Sequence, residues 1–151
     1  MAKIDNLDLI ILSELSQDAA ISVPKLSKKI KVNPSVVYSR IKRLIKRKLI
    51  ERFTIEVNSA ELGYHVKALT GINMDTKMRD NVIEELFKIA GVSEISEVTG
   101  RFDVLVTMHA KTLDEMHKLL SEKIGRIQGI QSSESFIEMK TRKKPMPFMP
   151  E

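Results

Sequence analysis

The stretch NPSVVYSRIKRLIKRK runs from Asn33 to Lys48, at the end of the first third of the chain. Asn33 is a favourable helix N-cap, and Pro34 suits the first helical position because its missing N–H needs no partner there. The last nine residues of the stretch hold three Arg, three Lys and no acidic residue. The stretch therefore predicts a capped helix with a strongly cationic surface.

Helical periodicity divides the side chains of this predicted helix between two faces. The side expected to pack inward carries Val37, Ile41, Leu44 and Ile45. The neighbouring side, expected to stay free, carries Val36, Arg40, Arg43 and Arg47, and is widened by Ser39, Lys42 and Lys46. One face of the helix is thus predicted to dock and the other to present positive charge.

Two shorter amphipathic helices are predicted ahead of the cationic one. The first runs roughly from Asp5 to Ser16, and the second begins at Ser22, whose hydroxyl can cap it. Only residues 31–33 separate the second helix from the third, which is enough for a tight turn. Three short helices with such a turn before a basic third helix are typical of a helix-turn-helix.

A DNA-binding role follows from what bases and phosphates require. Base edges are contacted by short polar side chains or Arg near the start of a recognition helix, and phosphates are contacted by cations. For the first task we expect Ser35, Val36, Ser39 and Arg40, and for the second Lys42, Arg43 and Arg47. The alternative is a solvated surface helix, but such helices usually mix acidic with basic residues. Double-stranded DNA is therefore the predicted partner.

The charge distribution indicates a polyanionic partner for one segment only. The 151-residue chain has a formal net charge of +5, but residues 21–52 hold eleven basic residues against the single acid Glu51. Residues 63–139 hold nine basic and twelve acidic residues. The cationic character therefore belongs to the predicted helix-turn-helix and not to the whole molecule.

Residue types argue against a metal centre, a cofactor and a membrane span. The chain has no Cys, and its three His lack a metal-binding spacing, so no metal is expected. It has no glycine-rich phosphate loop and no nucleophile motif, and we expect no cofactor and no catalytic residue. No apolar run approaches the roughly 20 residues that span a bilayer, so we expect a soluble, cytoplasmic protein.

After Ile50 the helical pattern gives way to alternation. Phe53, Ile55 and Val57 alternate with polar residues and predict a linking strand. From Val66 the elements are strand, helix, strand, strand, helix and strand, which predict a ferredoxin-like βαββαβ domain. The predicted α+β fold has a helix-turn-helix over 1–51, a linking strand and hinge over 52–64, the βαββαβ domain over 65–141 and a flexible tail over 142–151.

The turn between the two central predicted strands is a second candidate site. In EVTGRFDVLV, Gly100 allows a tight turn that leaves backbone amides free, and Asp103 places a carboxylate nearby. The amides suit the carboxylate of a zwitterion, and Asp103 suits its ammonium group. Because a glycine followed by an aspartate also occurs in ordinary turns, the two alternatives are a binding loop and a plain hairpin.

Taken together, these segments resemble the leucine-responsive regulatory protein and asparagine regulator family, the feast/famine regulators, over about residues 5–140. The similarity rests on LDLIILSELSQDA, RIKRLIKRKLI, Leu62 and Gly63, VTGRFDVLV and GIQSSES, in this order. The resemblance implies a transcription regulator whose winged helix-turn-helix binds operators. It also implies a ferredoxin-like domain that pairs sheets in a homodimer, further assembly of dimers, and an amino-acid-like effector between dimers.

The resemblance also implies a set of effector-binding residues. They fall on Thr99, Gly100, Arg101, Phe102 and Asp103, and on the late pair Ser133 and Ser135. Some positions depart from the family pattern: Ala20 stands where Arg is frequent, and Arg101 replaces the usual acid of the loop. Ser133 and Ser135 keep the hydroxyl groups of a Thr-x-Thr pair and lose its methyl groups.

The sequence thus predicts a sequence-specific DNA-binding transcription regulator, not an enzyme, that responds to an amino acid or a related small effector. One alternative is an architectural protein that binds DNA with little sequence preference. Another is an enzyme, because tetrapyrrole decarboxylases are similar in two-domain architecture. The cationic third helix disfavours the enzyme, since a substrate site elsewhere does not need it.

Overall fold

The structure, a computed structural model, describes residues 3–143 and divides into two compact units. One unit contains the residues up to Glu56 together with 142 and 143, and the other spans Val57–Thr141. Lys143 forms an ion pair with Glu56 at 2.6 Å. From residue 144 onward, the predicted tail lies outside the described residues. Among residues 3–143, no helix has the length and apolar character needed to cross a membrane.

The first unit is a three-helix helix-turn-helix, as predicted. Its helices are α1 (Asn6–Gln17), α2 (Val23–Ile30) and α3 (Pro34–Lys46). The predicted caps form, because Ser22 accepts the N–H of Lys25 and Asn33 accepts the N–H of Ser35. The helices enclose a small core whose buried members are Ile11, Leu15, Leu26, Val37 and Leu44. Burying each of these side chains stabilises the unit by roughly 1.5–3 kcal/mol.

Two local predictions for this unit are wrong. Ile45 was expected to pack inward, but its side chain is exposed. The linking strand does not form: residues 51–58 have no regular secondary structure, and the side chain of Ile55 is 81% exposed. A strand is stabilised by hydrogen bonds to a neighbouring strand, and none of residues 3–143 supplies one beside this segment. For the same reason, the wing implied by the family resemblance has no strands in residues 3–56.

The second unit has the predicted ferredoxin-like order of elements. These are β1 (Val66–Met74), α4 (Arg79–Phe87), β2 (Val92–Glu97), β3 (Val104–Ala110), α5 (Leu113–Lys118) and β4 (Ile130–Ile137). The strands form one sheet in the order β2-β3-β1-β4, and all neighbours are antiparallel. The second helix is shorter than predicted, because residues 119–123 widen into a π turn and 124–126 tighten into a 3-10 turn.

The sheet has one face against the helices and one face without a layer over it in residues 57–141. Alternate residues of β1 and β3, such as Ala68, Ile72 and Val106, are fully buried in the core with Val82 and Leu86 of α4. The other face, here called the outer sheet face, carries Leu69, Gly71, Leu105, Thr107, Glu134 and Phe136. Its exposed apolar side chains include Leu69 and Phe136.

Candidate functional site

The exposed face of α3 is the first candidate site. It consists of Ser35, Tyr38, Ser39, Lys42 and Lys46, and is called the outer face of α3 below. Ser35 and Ser39 donate to local acceptors, Asn33 Oδ1 at 2.8 Å and the Val36 carbonyl at 2.9 Å. Their hydroxyl oxygens keep lone pairs for an incoming donor. The face therefore offers short polar groups near the start of the helix and two cations further along it.

Tyr38 belongs to this face but was missing from the predicted DNA-binding residues. Its side chain is 52% exposed, and the Lys42 ammonium lies 5.0 Å from the centre of its ring. The contact with Tyr38 raises the pKa of Lys42, so this lysine is charged at neutral pH. The sequence held the signal, because Tyr38 precedes Lys42 by four residues and so lies one helical turn before it on the same face.

Arg40 and Arg43 were predicted to lie on the free, solvent-facing side of α3, and this prediction is wrong. Both guanidinium groups are turned against α1, where Arg43 Nη2 lies 2.5 Å and Arg40 Nη1 3.2 Å from the carboxylate of Asp8. Arg40 also pairs with Asp5, and this contact lowers the pKa of the Asp5 carboxyl. The side chain of Asp8 is 0% exposed. A buried carboxylate needs cationic partners, and this need overrides the helical-wheel expectation that both arginines face solvent.

The other predicted DNA-binding residues divide by exposure. Val36 is exposed on the edge of the outer face of α3. Arg47 is half-buried, and its Nη1 atom is buried without a hydrogen-bond partner in residues 3–143. Of the seven predicted residues, the structure thus exposes Ser35, Val36, Ser39 and Lys42, whereas Arg40, Arg43 and Arg47 are half-buried.

The second candidate site, called the effector loop, is the segment Thr99–Asp103 between β2 and β3. Gly100 has φ +140°, a conformation that favours glycine, and a Cβ there would meet no atom within 4 Å. The loop stem is closed because Val98 N–H donates to the Asp103 carbonyl at 3.0 Å. Between these ends, the amides of residues 99–102 donate no hydrogen bond to any described residue. The predicted free amides are therefore present.

Asp103 is engaged within the chain. Its carboxylate accepts the Met74 N–H at 2.9 Å and lies 3.6 Å from Arg79 Nη2. Arg79, at the first position of α4, also binds Glu97 at the end of β2 at 2.7 Å. Arg79 therefore contacts both stems of the effector loop. Arg79 was not among the predicted site residues, because its contacts join segments about twenty residues apart.

Phe102 and Arg101 fold back over the outer sheet face. Phe102 packs so tightly on Gly71 that any Cβ at position 71 would collide with its ring. The Arg101 guanidinium lies 5.3 Å from the centre of the same ring and binds Glu134 of β4 at 2.7 Å. A glycine in the middle of β1, which weakens a strand in isolation, is explained here by the close approach of an aromatic ring.

Ser133 and Ser135 do not join the effector loop within one chain. In the register of β4 they pair with Ile72 and Thr70, whose side chains are buried on the helix side of the sheet. The hydroxyls of Ser135 and Thr70 are 2.9 Å apart. Because Phe102 lies against the opposite face, the sheet separates the two parts of the predicted site. No hydrogen bond or ion pair connects them in the described residues.

A cleft of about 680 Å³ lies elsewhere in the second unit, between α4 and the helical turns that follow α5. Ile89, Leu119 and Ile127 are among its apolar lining residues, and Lys88 and Arg126 are among its charged ones. None of the predicted effector residues lines it. No group of three or more His, Asp or Glu in the part of the chain that the structure describes is placed to hold a metal ion.

Family models and curated relatives match nearly the whole chain. Residues 4–45 match the AsnC-type helix-turn-helix domain, and residues 67–148 match the Lrp/AsnC ligand binding domain. An uncharacterised HTH-type transcriptional regulator of Pyrococcus horikoshii is 31% identical over 141 residues, which cover 93% of this chain and 89% of that protein. The transcriptional regulator AzlB of Bacillus subtilis is 31% identical over 144 residues, with coverage of 93% and 92%.

Solved structures share the same fold. The structure of Escherichia coli AsnC superposes with a TM-score of 0.87 at 26% identity, covering 97% of this chain and 99% of that one. A transcriptional regulator of Neisseria meningitidis, solved as a complex with L-Met, gives a TM-score of 0.90 at 17% identity, covering 96% of each chain. At that identity the second likeness shows the fold alone.

Proposed function

Since this chain belongs to the Lrp/AsnC family and is a DNA-binding transcription regulator, we propose that it contacts its operator with the outer face of α3. The observation that carries this proposal is the exposure of Tyr38, Lys42 and Lys46 on one side of the helix that follows the turn. A recognition helix contacts base edges through its N-terminal residues and phosphates through nearby cations. Ser35 and Ser39 are assigned to bases, and Lys42 and Lys46 to phosphates.

The test is fluorescence-anisotropy binding to the DNA upstream of its own gene, with unrelated DNA as competitor and salt as the variable. We expect binding that resists the competitor and weakens with salt. Lys42→Ala should weaken binding to both DNAs and reduce the salt slope by about 1, as the loss of one phosphate contact does. Lys118→Ala, which removes an exposed lysine of α5, is the matched control.

The outcomes separate the alternatives. If Lys42→Ala and Lys118→Ala bind alike, the outer face of α3 is not the DNA-contacting surface. Equal affinity for upstream and unrelated DNA would show that the protein binds DNA without sequence preference, as an architectural protein does.

The second part of the proposal is that residues 57–141 bind an amino acid or a related zwitterion at the effector loop. The amides of residues 99–102 have no acceptor in the described residues and suit the carboxylate of the ligand. Asp103 and Glu134 suit its ammonium group, although each already contacts an arginine of the loop region, Arg79 or Arg101. The L-Met complex of the Neisseria regulator gives a first candidate effector.

Calorimetric titration with the standard amino acids, L-Met included, tests this site. Gly100→Ala should weaken the binding of whichever amino acid the parent binds, because it forces a Cβ into a left-handed backbone conformation and shifts the amides. Gly63→Ala is the matched control, since Gly63 also has a positive φ (+87°) and open space around it. If both substitutions weaken binding equally, or if neither substitution changes binding, the effector site lies elsewhere.

We further propose a homodimer that assembles into higher oligomers and acts in the cytoplasm, where a bacterial or archaeal regulator meets its DNA. Ser133 and Ser135 would then complete an effector site with the loop of another subunit, since the sheet separates them from their own loop. Exposed Leu69 and Phe136 on the outer sheet face support pairing of sheets. Light scattering of the parent and of Phe136→Glu checks this: a parent that is monomeric at micromolar concentration would refute it.

A further inference from the structure

Asp8, in the first turn of α1, carries a fully buried carboxylate. Its two oxygens are contacted by Arg43 Nη2 at 2.5 Å, by Arg40 Nη1 at 3.2 Å and by the backbone N–H of Asp5 at 3.2 Å. All three donors come from the same compact unit. Asp8 thus joins the start of α1 to two successive turns of α3.

The energetics make these contacts obligatory. A buried charge is tolerated only when it is paired and hydrogen-bonded, and removing one partner of a buried pair leaves the other charge without compensation. Arg40 and Arg43 are three residues apart, so they lie on the same side of α3. Fixing both against one carboxylate therefore fixes the rotation of α3 about its own axis.

The same contacts decide which cations are available to DNA. Arg40 and Arg43 are half-buried beside Asp8, whereas Lys42 and Lys46 are exposed on the outer face of α3. Arginines bind phosphates readily and independently of base sequence. Two guanidinium groups released from α1 would add phosphate contacts that carry no sequence information.

We propose that Asp8 is a positioning residue for DNA binding. By holding Arg40 and Arg43 against α1, it orients the outer face of α3 and withholds two arginines from sequence-independent phosphate contacts. This inference rests on the proposed role of the outer face of α3. Its consequence is that Asp8 raises operator specificity without touching DNA.

The test is Asp8→Asn, which keeps the size of the side chain and removes its charge. Affinity for upstream and unrelated DNA is measured across salt concentrations, and circular dichroism confirms the folded fraction under the same conditions. We expect the ratio of specific to unrelated affinity to fall about tenfold. The salt slope for unrelated DNA should steepen by about 0.9, because Arg43 is released whereas Arg40 keeps its ion pair with Asp5.

The matched control is Glu14→Gln, which removes a carboxylate of the same helix that pairs with Lys29 at the surface. If Asp8→Asn lowers the melting temperature but leaves the salt slope and the specificity ratio of the folded protein at the Glu14→Gln values, Asp8 is structural only and the proposal is overturned. Should Asp8→Asn not fold, Asp5→Asn tests the hold on Arg40, whose remaining carboxylate partner is then Asp8. The slope should stay at the parent value, and a slope that steepens by about 0.9 would show that Asp8 does not hold Arg40 and would overturn the proposal.

Lys42→Ala, measured in parallel, separates this inference from the proposed function. If Lys42→Ala leaves DNA binding unchanged, the assignment of the outer face is at fault. If Lys42→Ala weakens binding while Asp8→Asn leaves the salt slope unchanged, only the positioning role of Asp8 fails.

Discussion

The helix-turn-helix and the effector loop both contain arginines paired with carboxylates, but the two sets of pairs differ in burial. Asp8 is 0% exposed between Arg40 and Arg43, whereas Glu134 is 39% and Arg101 75% exposed. Desolvation makes the first set obligatory, and solvent leaves the second set weak. An arginine–carboxylate pair therefore fixes the position of a helix in the first unit, whereas the exposed pair in the second unit adds little to the stability of its loop.

The largest effect is expected from breaking the buried set. The double variant Arg40→Ala/Arg43→Ala leaves Asp8 buried without a cation, so it should lower the free energy of unfolding by about 3–5 kcal/mol. Urea unfolding monitored by circular dichroism measures this change. Arg101→Ala/Lys88→Ala, which removes two exposed paired cations of the second unit, is the control. Similar losses in both doubles would show that burial does not distinguish the two units.

The next effect tests whether the effector loop is held by packing instead of charge. Gly71→Ala places a methyl group into the ring of Phe102, and such overpacking should cost about 1–3 kcal/mol. The same substitution in a Phe102→Ala background should cost much less, because the collision is gone. An equal cost in both backgrounds would mean that Gly71 is needed for its backbone and not for the ring.

A smaller effect is expected from the exposed pair of the loop. Arg101→Ala should change the free energy of unfolding by less than about 1 kcal/mol, because solvent screens its contact with Glu134. Glu134→Gln, measured by the same urea titration, should match it. A loss of 3 kcal/mol or more, on the order seen for buried pairs, would contradict the contrast between the two units.

The smallest effect concerns pH, where the two units should respond in different ranges. Burial and, secondarily, the neighbouring Lys67 lower the pKa of His109, while Glu138 opposes them. The unfolded chain then takes up the proton first, so the second unit should lose stability as pH falls below the ordinary histidine value of about 6.5.

In the first unit, the hydrogen bond from Arg40 lowers the pKa of Asp5. The contribution of this pair to the stability of the unit is therefore present above a pH of about 4 and is lost only below it. Thermal unfolding between pH 4.5 and 7 checks the contrast, with His109→Gln as the variant that should remove the response. If the melting temperature falls by the same amount in the parent and in His109→Gln between pH 7 and pH 4.5, His109 is not the responsible group.

Local patterns predicted the elements of this fold because the relevant forces are local. Asn33 and Pro34 fix the start of α3 through their own backbone chemistry, and β1 begins at Val66, as predicted. The order of strands and helices then leaves few arrangements open, and the ferredoxin-like sheet is confirmed.

The candidate site was predicted less well because its geometry depends on distant partners. Nothing in the sequence around Arg40 reveals that Asp8, thirty-two residues earlier, needs its charge. Likewise, alternation at Phe53 and Ile55 predicts a strand, but it does not say whether a partner strand exists. The family resemblance implied that Ser133 and Ser135 share the effector site with the loop, whereas the pleat of the sheet directs them to the other face of their own sheet.

The contact between Gly71 and Phe102 also has a consequence for how this chain can diverge. A larger residue at position 71 is blocked as long as the phenylalanine ring is present, but a smaller residue at position 102 removes the obstacle. Substitutions at the two positions are therefore expected to accumulate in a fixed order, with position 102 changing first. In a set of related sequences the pair should covary, and lineages with a side chain at position 71 should lack an aromatic ring at position 102.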